Sequence, residues 1–152
     1  MTDTYADSII IFDGMSLVRQ RVNNLLQDFN INVYEASYDV ELFSLLFNDK
    51  LNISLIIMEV GSDVDKGFEI LSKINEKKSE IPVFILTSNN KKEIFLRGIA
   101  EGASDYILKP FDDNYLLNKI LSILNMKRKD IDIDKDKDNE LQSDEEGTLN
   151  YA

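Results

Sequence analysis

Five short apolar runs alternate along this chain with five segments whose apolar residues recur at spacings of three and four. Ile9-Ile10-Ile11-Phe12 ends at Asp13, and Leu17, Val18, Val22, Leu25, Leu26 and Phe29 then follow the period of an amphipathic helix. Ile31-Asn32-Val33-Tyr34-Glu35 alternates as a half-buried edge strand does. Asp39 is placed to cap a second helix carrying Leu42, Phe43, Leu45, Leu46 and Phe47. Residues 53–60 read as a strand buried on both faces. Phe68, Ile70, Leu71 and Ile74 mark a third helix, and Pro82-Val83-Phe84-Ile85-Leu86 a fourth strand. Ile94, Phe95, Ile99 and Ala100 give a fourth helix, closed at Gly102, which can take the left-handed conformation. Tyr106 to Leu108 is a fifth strand, and Pro110 stops it so that Lys109 sits at its carboxyl end. A fifth helix starts near Asp112 and uses Tyr115, Leu116, Leu117, Ile120, Leu121 and Leu124. This succession leaves no room for hairpins. It predicts an α/β protein with a doubly wound, five-stranded parallel sheet of (βα)5 type and strand order 2-1-3-4-5.

The pattern stops after Asn125, which sets the expected domain division: one folded domain over 1–126 and an acidic tail or linker over 127–152. With 5 basic and 9 acidic residues and few large apolar ones, the tail cannot bury enough surface to fold alone. Within it Asp134, Asp136, Asp138, Leu141 and Glu145 match the spacing of a calcium-binding loop. Asn139 stands where that loop needs glycine and no amphipathic helices flank it, so a plain acidic linker is the preferred reading.

Composition narrows the chemistry. The 152 residues are 43% hydrophobic and 30% charged, as in a soluble globular chain. The absence of cysteine removes thiolate nucleophiles and zinc–thiolate sites. The absence of histidine removes an imidazole base and a phosphohistidine carrier. A net charge of −11 argues against direct nucleic-acid binding through phosphate neutralisation. No apolar run approaches membrane-spanning length, and the acidic, polar start is unlike a signal peptide, so a cytoplasmic location is expected.

What remains is a constellation at one edge of the predicted sheet. Asp13 follows the first strand, Glu59 lies in the third, Thr87 and Ser88 follow the fourth, and Lys109 follows the fifth. In an open parallel sheet the carboxyl ends of the strands face the ligand crevice. Carboxylates, hydroxyls and an ammonium gathered there suit phosphoryl transfer to an acidic side chain. The carboxylate acts as nucleophile, acids hold magnesium, and hydroxyl and ammonium groups meet the phosphoryl oxygens. Any one of these residues alone would be read as a polar strand cap.

Over about Ser8 to Asn125 the chain resembles the receiver domains of two-component response regulators, which have the flavodoxin-like fold. The resemblance is carried by Ile81-Pro82-Val83-Phe84-Ile85-Leu86-Thr87-Ser88, by Gly67-Phe68-Glu69-Ile70-Leu71, and by Tyr106 with Lys109-Pro110. It implies that Thr87 senses phosphate, that Tyr106 rotates between outward and inward positions, and that Lys109 contacts an acyl phosphate. Two departures fall on the chemistry. Eight residues before Gly67, where the family has its phospho-acceptor aspartate, stands Glu59, and the second member of the family's acidic pair after strand one is Gly14. Asp63 also stands where the family has a proline. Asp13 and Glu59 are thus expected to be weak magnesium ligands at best, with no other cofactor.

The expected function is an atypical receiver, or pseudo-receiver: a non-enzymatic module acting by protein–protein contact, with Glu59 replacing the phospho-acceptor. The alternative is a genuine phosphoacceptor, phosphorylated on Glu59 with magnesium and controlling an output domain such as a diguanylate cyclase. The expected partner is a histidine kinase, an output domain, or a second copy through the fourth helix, fifth strand and fifth helix, with no nucleic acid and no membrane. A truncated output domain after the tail is a further expectation.

Overall fold

The computed structural model describes residues 6–127. Five strands and five helices alternate: β1 (Asp7–Phe12), α1 (Ser16–Leu26), β2 (Ile31–Ala36), α2 (Asp39–Leu46), β3 (Ile53–Glu59), α3 (Val64–Lys77), β4 (Val83–Thr87), α4 (Lys92–Ala100), β5 (Asp105–Leu108) and α5 (Asp113–Lys127). All strand pairs are parallel and the order is β2-β1-β3-β4-β5, the doubly wound flavodoxin-like arrangement expected from the sequence. The chain divides into two compact units, Met1–Phe111 and Asp112–Ala152. Among the described residues no helix is long and apolar enough to cross a membrane. The tail over 127–152, including Asp134, Asp136, Asp138 and Glu145, lies outside the described residues save for its first member.

In the first unit the sheet is the core. Successive side chains of a strand point to opposite faces, yet every residue of β1 and every residue of β3 up to Met58 is buried, so both faces are covered. Ile9, Ile10, Ile11, Leu55, Ile56, Ile57, Ile85 and Leu86 are fully enclosed. Each such side chain stabilises the fold by about 1.5–3 kcal/mol of apolar burial. Strand β2, at the edge, is only partly covered, as its alternating sequence implies. The buried polar residues Asp7 and Ser54 are joined by a hydrogen bond from the serine hydroxyl at 2.8 Å.

Helix ends are set locally. Asp39 is not the cap of α2: it lies in the first turn, where its carboxylate accepts from the Val40 N–H at 2.9 Å. The longer arm of Glu41 reaches back instead to the N–H groups of Ser37 and Tyr38. Asp63 caps α3 by accepting from the Lys66 N–H at 3.2 Å. Gly102 has φ of +104°, and the Gly102 and Ala103 N–H groups donate to the Ile99 and Gly98 carbonyls, the paired bonds of a left-handed helix stop. In the second unit, Asp112 caps α5 through the Tyr115 N–H at 2.9 Å.

Two glycines near the sheet edge test the packing. A Cβ at Gly67 would lie 3.0 and 3.1 Å from the two methyls of Val60, a stiff β-branched side chain, whereas one at Gly14 would meet nothing within 4 Å. Overpacking of about 1–3 kcal/mol outweighs the roughly 1 kcal/mol of helix propensity gained at Gly67. Gly67→Ala is expected to lower unfolding free energy by about 1 kcal/mol in urea, and Gly14→Ala to change it by less than about 0.5 kcal/mol. Equal effects of the two substitutions would contradict this packing.

Candidate functional site

Strand register delivers the site. Phe12 pairs with Met58, so the next residues, Asp13 and Glu59, emerge side by side. Glu59 pairs with Leu86, and Thr87 with Leu108, which brings Thr87 and Lys109 to the same edge. Asp13 is fixed further by its backbone N–H, which donates to the Ala36 carbonyl at 3.0 Å.

At the centre Lys109 Nζ donates to Asp13 Oδ2 at 2.8 Å and to Glu59 Oε2 at 2.9 Å. The Asp13 side chain is 0% exposed, Lys109 12% and Glu59 28%, so the group grades from an enclosed acid to one open to solvent. The other Asp13 oxygen, Oδ1, accepts from the Met15 N–H at 2.9 Å, and Glu59 Oε1 lies 3.5 Å from the Gly14 nitrogen.

Two carboxylates thus compete for one ammonium, and their titration separates. Burial pushes the Asp13 carboxyl above its ordinary value, against the hydrogen bonds from Lys109 and Met15. Burial acts on Glu59 in the same sense, but the hydrogen bond and charge of Lys109 overcome it and hold this carboxyl below its ordinary value. Lys109 is pulled down by burial and up by hydrogen bonds to both acids, and the acids prevail. Of the two acids Asp13 is therefore the one that protonates more readily, and Glu59 the one held more firmly in its charged form.

Thr87 and Tyr106 are linked to the same edge through the backbone. The buried Thr87 hydroxyl donates to the Val60 carbonyl at 2.6 Å and accepts from the Asn89 N–H at 3.1 Å. The Tyr106 phenol donates to the Asn89 carbonyl at 2.8 Å. Its ring is turned inward and almost fully enclosed, edge-to-face with Phe95 at 5.4 Å, and burial raises its phenol pKa. Gly98 makes room for it, since a Cβ there would stand 3.3 Å from the ring. Ser88 is exposed and takes no part in these bonds.

Arg97, on α4, belongs to no motif in the sequence. Arg97 donates to Asp65 at 2.9 Å and to Glu101 at 2.7 Å and lies over the Phe68 ring at 4.4 Å. The four-residue spacing of Arg97 and Glu101 was a readable signal; the contact with Asp65 depends on how α3 and α4 pack.

The receiver type of site implies magnesium, and the residues here do not fit it. Gly14 offers no oxygen, the ammonium of Lys109 stands against both Asp13 and Glu59, and a hard cation needs more oxygen ligands than these. Among the described residues no group of three or more His, Cys, Asp or Glu side chains could hold a metal.

Comparison with known proteins agrees with the fold. Residues 9–121 match the response regulator receiver domain. The chain is similar to a probable transcriptional regulator, ycf29, of Pyropia yezoensis, at 29% identity over 76% of this chain and 52% of that protein. It is also similar to the crystal structure of a response regulator from Thermotoga maritima, with a TM-score of 0.73 and 26% identity over 80% of this chain and 99% of that one. A two-component response regulator from Clostridium difficile gives a TM-score of 0.70 and 28% identity, covering 78% and 96% respectively. The chain spans about half the length of the curated relatives it matches. The match runs through four of the five helices and into α5, and the chain belongs to the receiver domain family of two-component response regulators.

Proposed function

We propose that this receiver domain is an atypical one that signals by protein–protein contact, with Glu59 standing in place of a phosphorylated aspartate. The observation that carries this reading is the 2.9 Å contact of Glu59 with Lys109. A carboxylate already occupies the ammonium that the family resemblance assigns to an acyl phosphate. Tyr106, turned inward, and Thr87, bonded to Val60, support a fixed state of the switch residues. The module is a binding partner and not an enzyme. It spans 1–126 and is located in the cytoplasm, and 127–152 serves as an acidic linker to an output domain. Its partner is a histidine kinase, that output domain, or a second copy meeting α4, where Leu96 and Ile99 are exposed.

Exposure of the chain to acetyl phosphate and magnesium, followed by intact-mass measurement, should leave it unmodified. Glu59→Asp with Gly14→Asp supplies the shorter acceptor and the missing acid, and this double variant should gain phosphorylation. A misplacement near 1 Å is worth roughly 100-fold in rate. If the unaltered chain is modified on Glu59 as readily as the double variant, the alternative holds and Glu59 is a working phosphoacceptor. Calorimetric titration should find only weak magnesium binding, strengthened by Gly14→Asp. Tight binding abolished by Asp13→Asn would overturn the reading.

Glu59 also predicts a pH dependence. Its folded-state carboxyl titrates below the ordinary value of 4.5, so the stability it contributes is present above that pH and is lost as pH falls through the lower folded value. The chain should be more stable to urea than Glu59→Gln at neutral pH, and the gap should close on acidification below 4.5. A gap that stays constant or widens in acid would show that the Lys109 contact contributes nothing.

A further inference from the structure

Helix α1 carries two arginines two residues apart, and each reaches off the helix to a main-chain carbonyl of the charged edge. Arg19 donates from Nη1 to the Asp13 carbonyl at 2.6 Å, and its Nε pairs with Glu35 at 2.9 Å. Arg21 donates from Nη2 to the Phe111 carbonyl at 2.8 Å while its guanidinium lies 4.2 Å from the centre of the Phe111 ring. At about 100° per residue the two side chains leave the helix roughly 200° apart, so they serve opposite flanks. One grips Asp13 itself, and the other grips the chain two residues beyond Lys109.

Distance makes these grips consequential. Strands β1 and β5 are separated by β3 and β4 in the sheet, three spacings or about 14 Å if flat. An extended lysine stem covers only about 6 Å from Cα to Nζ. Lys109 nonetheless reaches Asp13 at 2.8 Å. The lysine stem, the hydrogen bond and the Asp13 side chain together cover about 12 Å of that span, and sheet twist and the placing of the segment after β5 supply the remainder. Phe111, stacked under and bonded to Arg21, is the point at which that segment is held.

We infer that Arg19 and Arg21 are positioning residues, making α1 a two-armed clamp that sets the separation of Asp13 and Lys109 and so determines which carboxylates share the ammonium. Neither arginine touches the ammonium, and their effect passes through the Asp13 and Phe111 backbone. The inference goes beyond the pseudo-receiver reading and holds whether or not Glu59 can be phosphorylated. A lysine cannot substitute at Arg21, because it lacks the planar fork that stacks on the ring while donating to the carbonyl.

The test uses the full chain and observes the Lys109 ammonium directly, by nitrogen-15 NMR of its proton exchange and by its rate of acylation with acetic anhydride. Arg21→Ala should speed both by roughly two- to tenfold, the range for loss of about one net hydrogen bond. Arg21→Lys should not rescue them. Arg19→Ala should act in the same direction by freeing Asp13, while the amide exchange of β3 and β4 stays as in the unaltered chain. Phe111→Leu keeps the carbonyl and removes the ring, so it should give a smaller acceleration, and it serves if Arg21→Ala fails to fold. Unchanged Lys109 exchange and acylation in folded Arg19→Ala and in folded Arg21→Ala or Phe111→Leu would overturn the clamp, as would full rescue by Arg21→Lys.

Discussion

Where two carboxylates face one ammonium at the end of a sheet, at most one of them can be fully compensated, and burial decides which. Asp13 is the more enclosed and has the higher desolvation cost, so it is the acid that gives up its charge more readily. Glu59, closer to water, keeps its charge and with it the strong interaction with Lys109. The arrangement is self-sufficient: hydrogen bonds from Lys109 and the Met15 N–H occupy the polar groups of Asp13, and Lys109 meets Glu59 as well. Removing Lys109 would strand Asp13 as a buried, unpaired acid, which is the costly way to break such a group.

The same edge is tied into the body of the unit by backbone, not by further charge. Val60 follows Glu59, and its carbonyl takes the Thr87 hydroxyl, which in turn holds Asn89, whose carbonyl takes the Tyr106 phenol. Three hydrogen bonds thus join the residue after Glu59 to an aromatic ring. Gly98 permits the inward ring, and Arg97 fastens α4 to the first turn of α3 at Asp65. Such a chain is a contiguous physical connection between the charged edge and the ring that packs on Phe95 of α4.

How much of this could be read from the sequence depends on whether the signal was local. Strand and helix types followed from apolar period, and the order 2-1-3-4-5 from the repeated βα succession, because burial on two faces leaves a parallel sheet few other solutions. The Gly102 helix stop and the placing of Lys109 before Pro110 were likewise local. Asp39 was misassigned as a cap because the longer Glu41 competes for the same N–H groups. Asp63 was legible only as a departure from the family's proline, since nothing in the sequence weighs capping against solvation there. The meeting of Asp13, Glu59 and Lys109 was anticipated as a cluster, but the sharing of one ammonium was not, because it depends on a loop position. Arg19 and Arg21 carry no motif, and their grip on distant carbonyls exists only in three dimensions.

The extra methylene of Glu59 decides how this edge differs from one built on aspartate. It carries the carboxylate about 1.5 Å farther from the strand, far enough to meet Lys109 at 2.9 Å and to approach the Gly14 nitrogen at 3.5 Å. A phosphoryl group would bring nearly twice the charge of a carboxylate, yet here it would have to enter where Glu59 and Asp13 already satisfy the ammonium. Entry of an anion must first free Lys109, and entry of a cation must overcome its positive charge with only two acids to help. Both routes oppose contacts that are already short and largely desolvated. Either ligand would therefore have to displace or outweigh the contacts that Lys109 makes with Asp13 and Glu59.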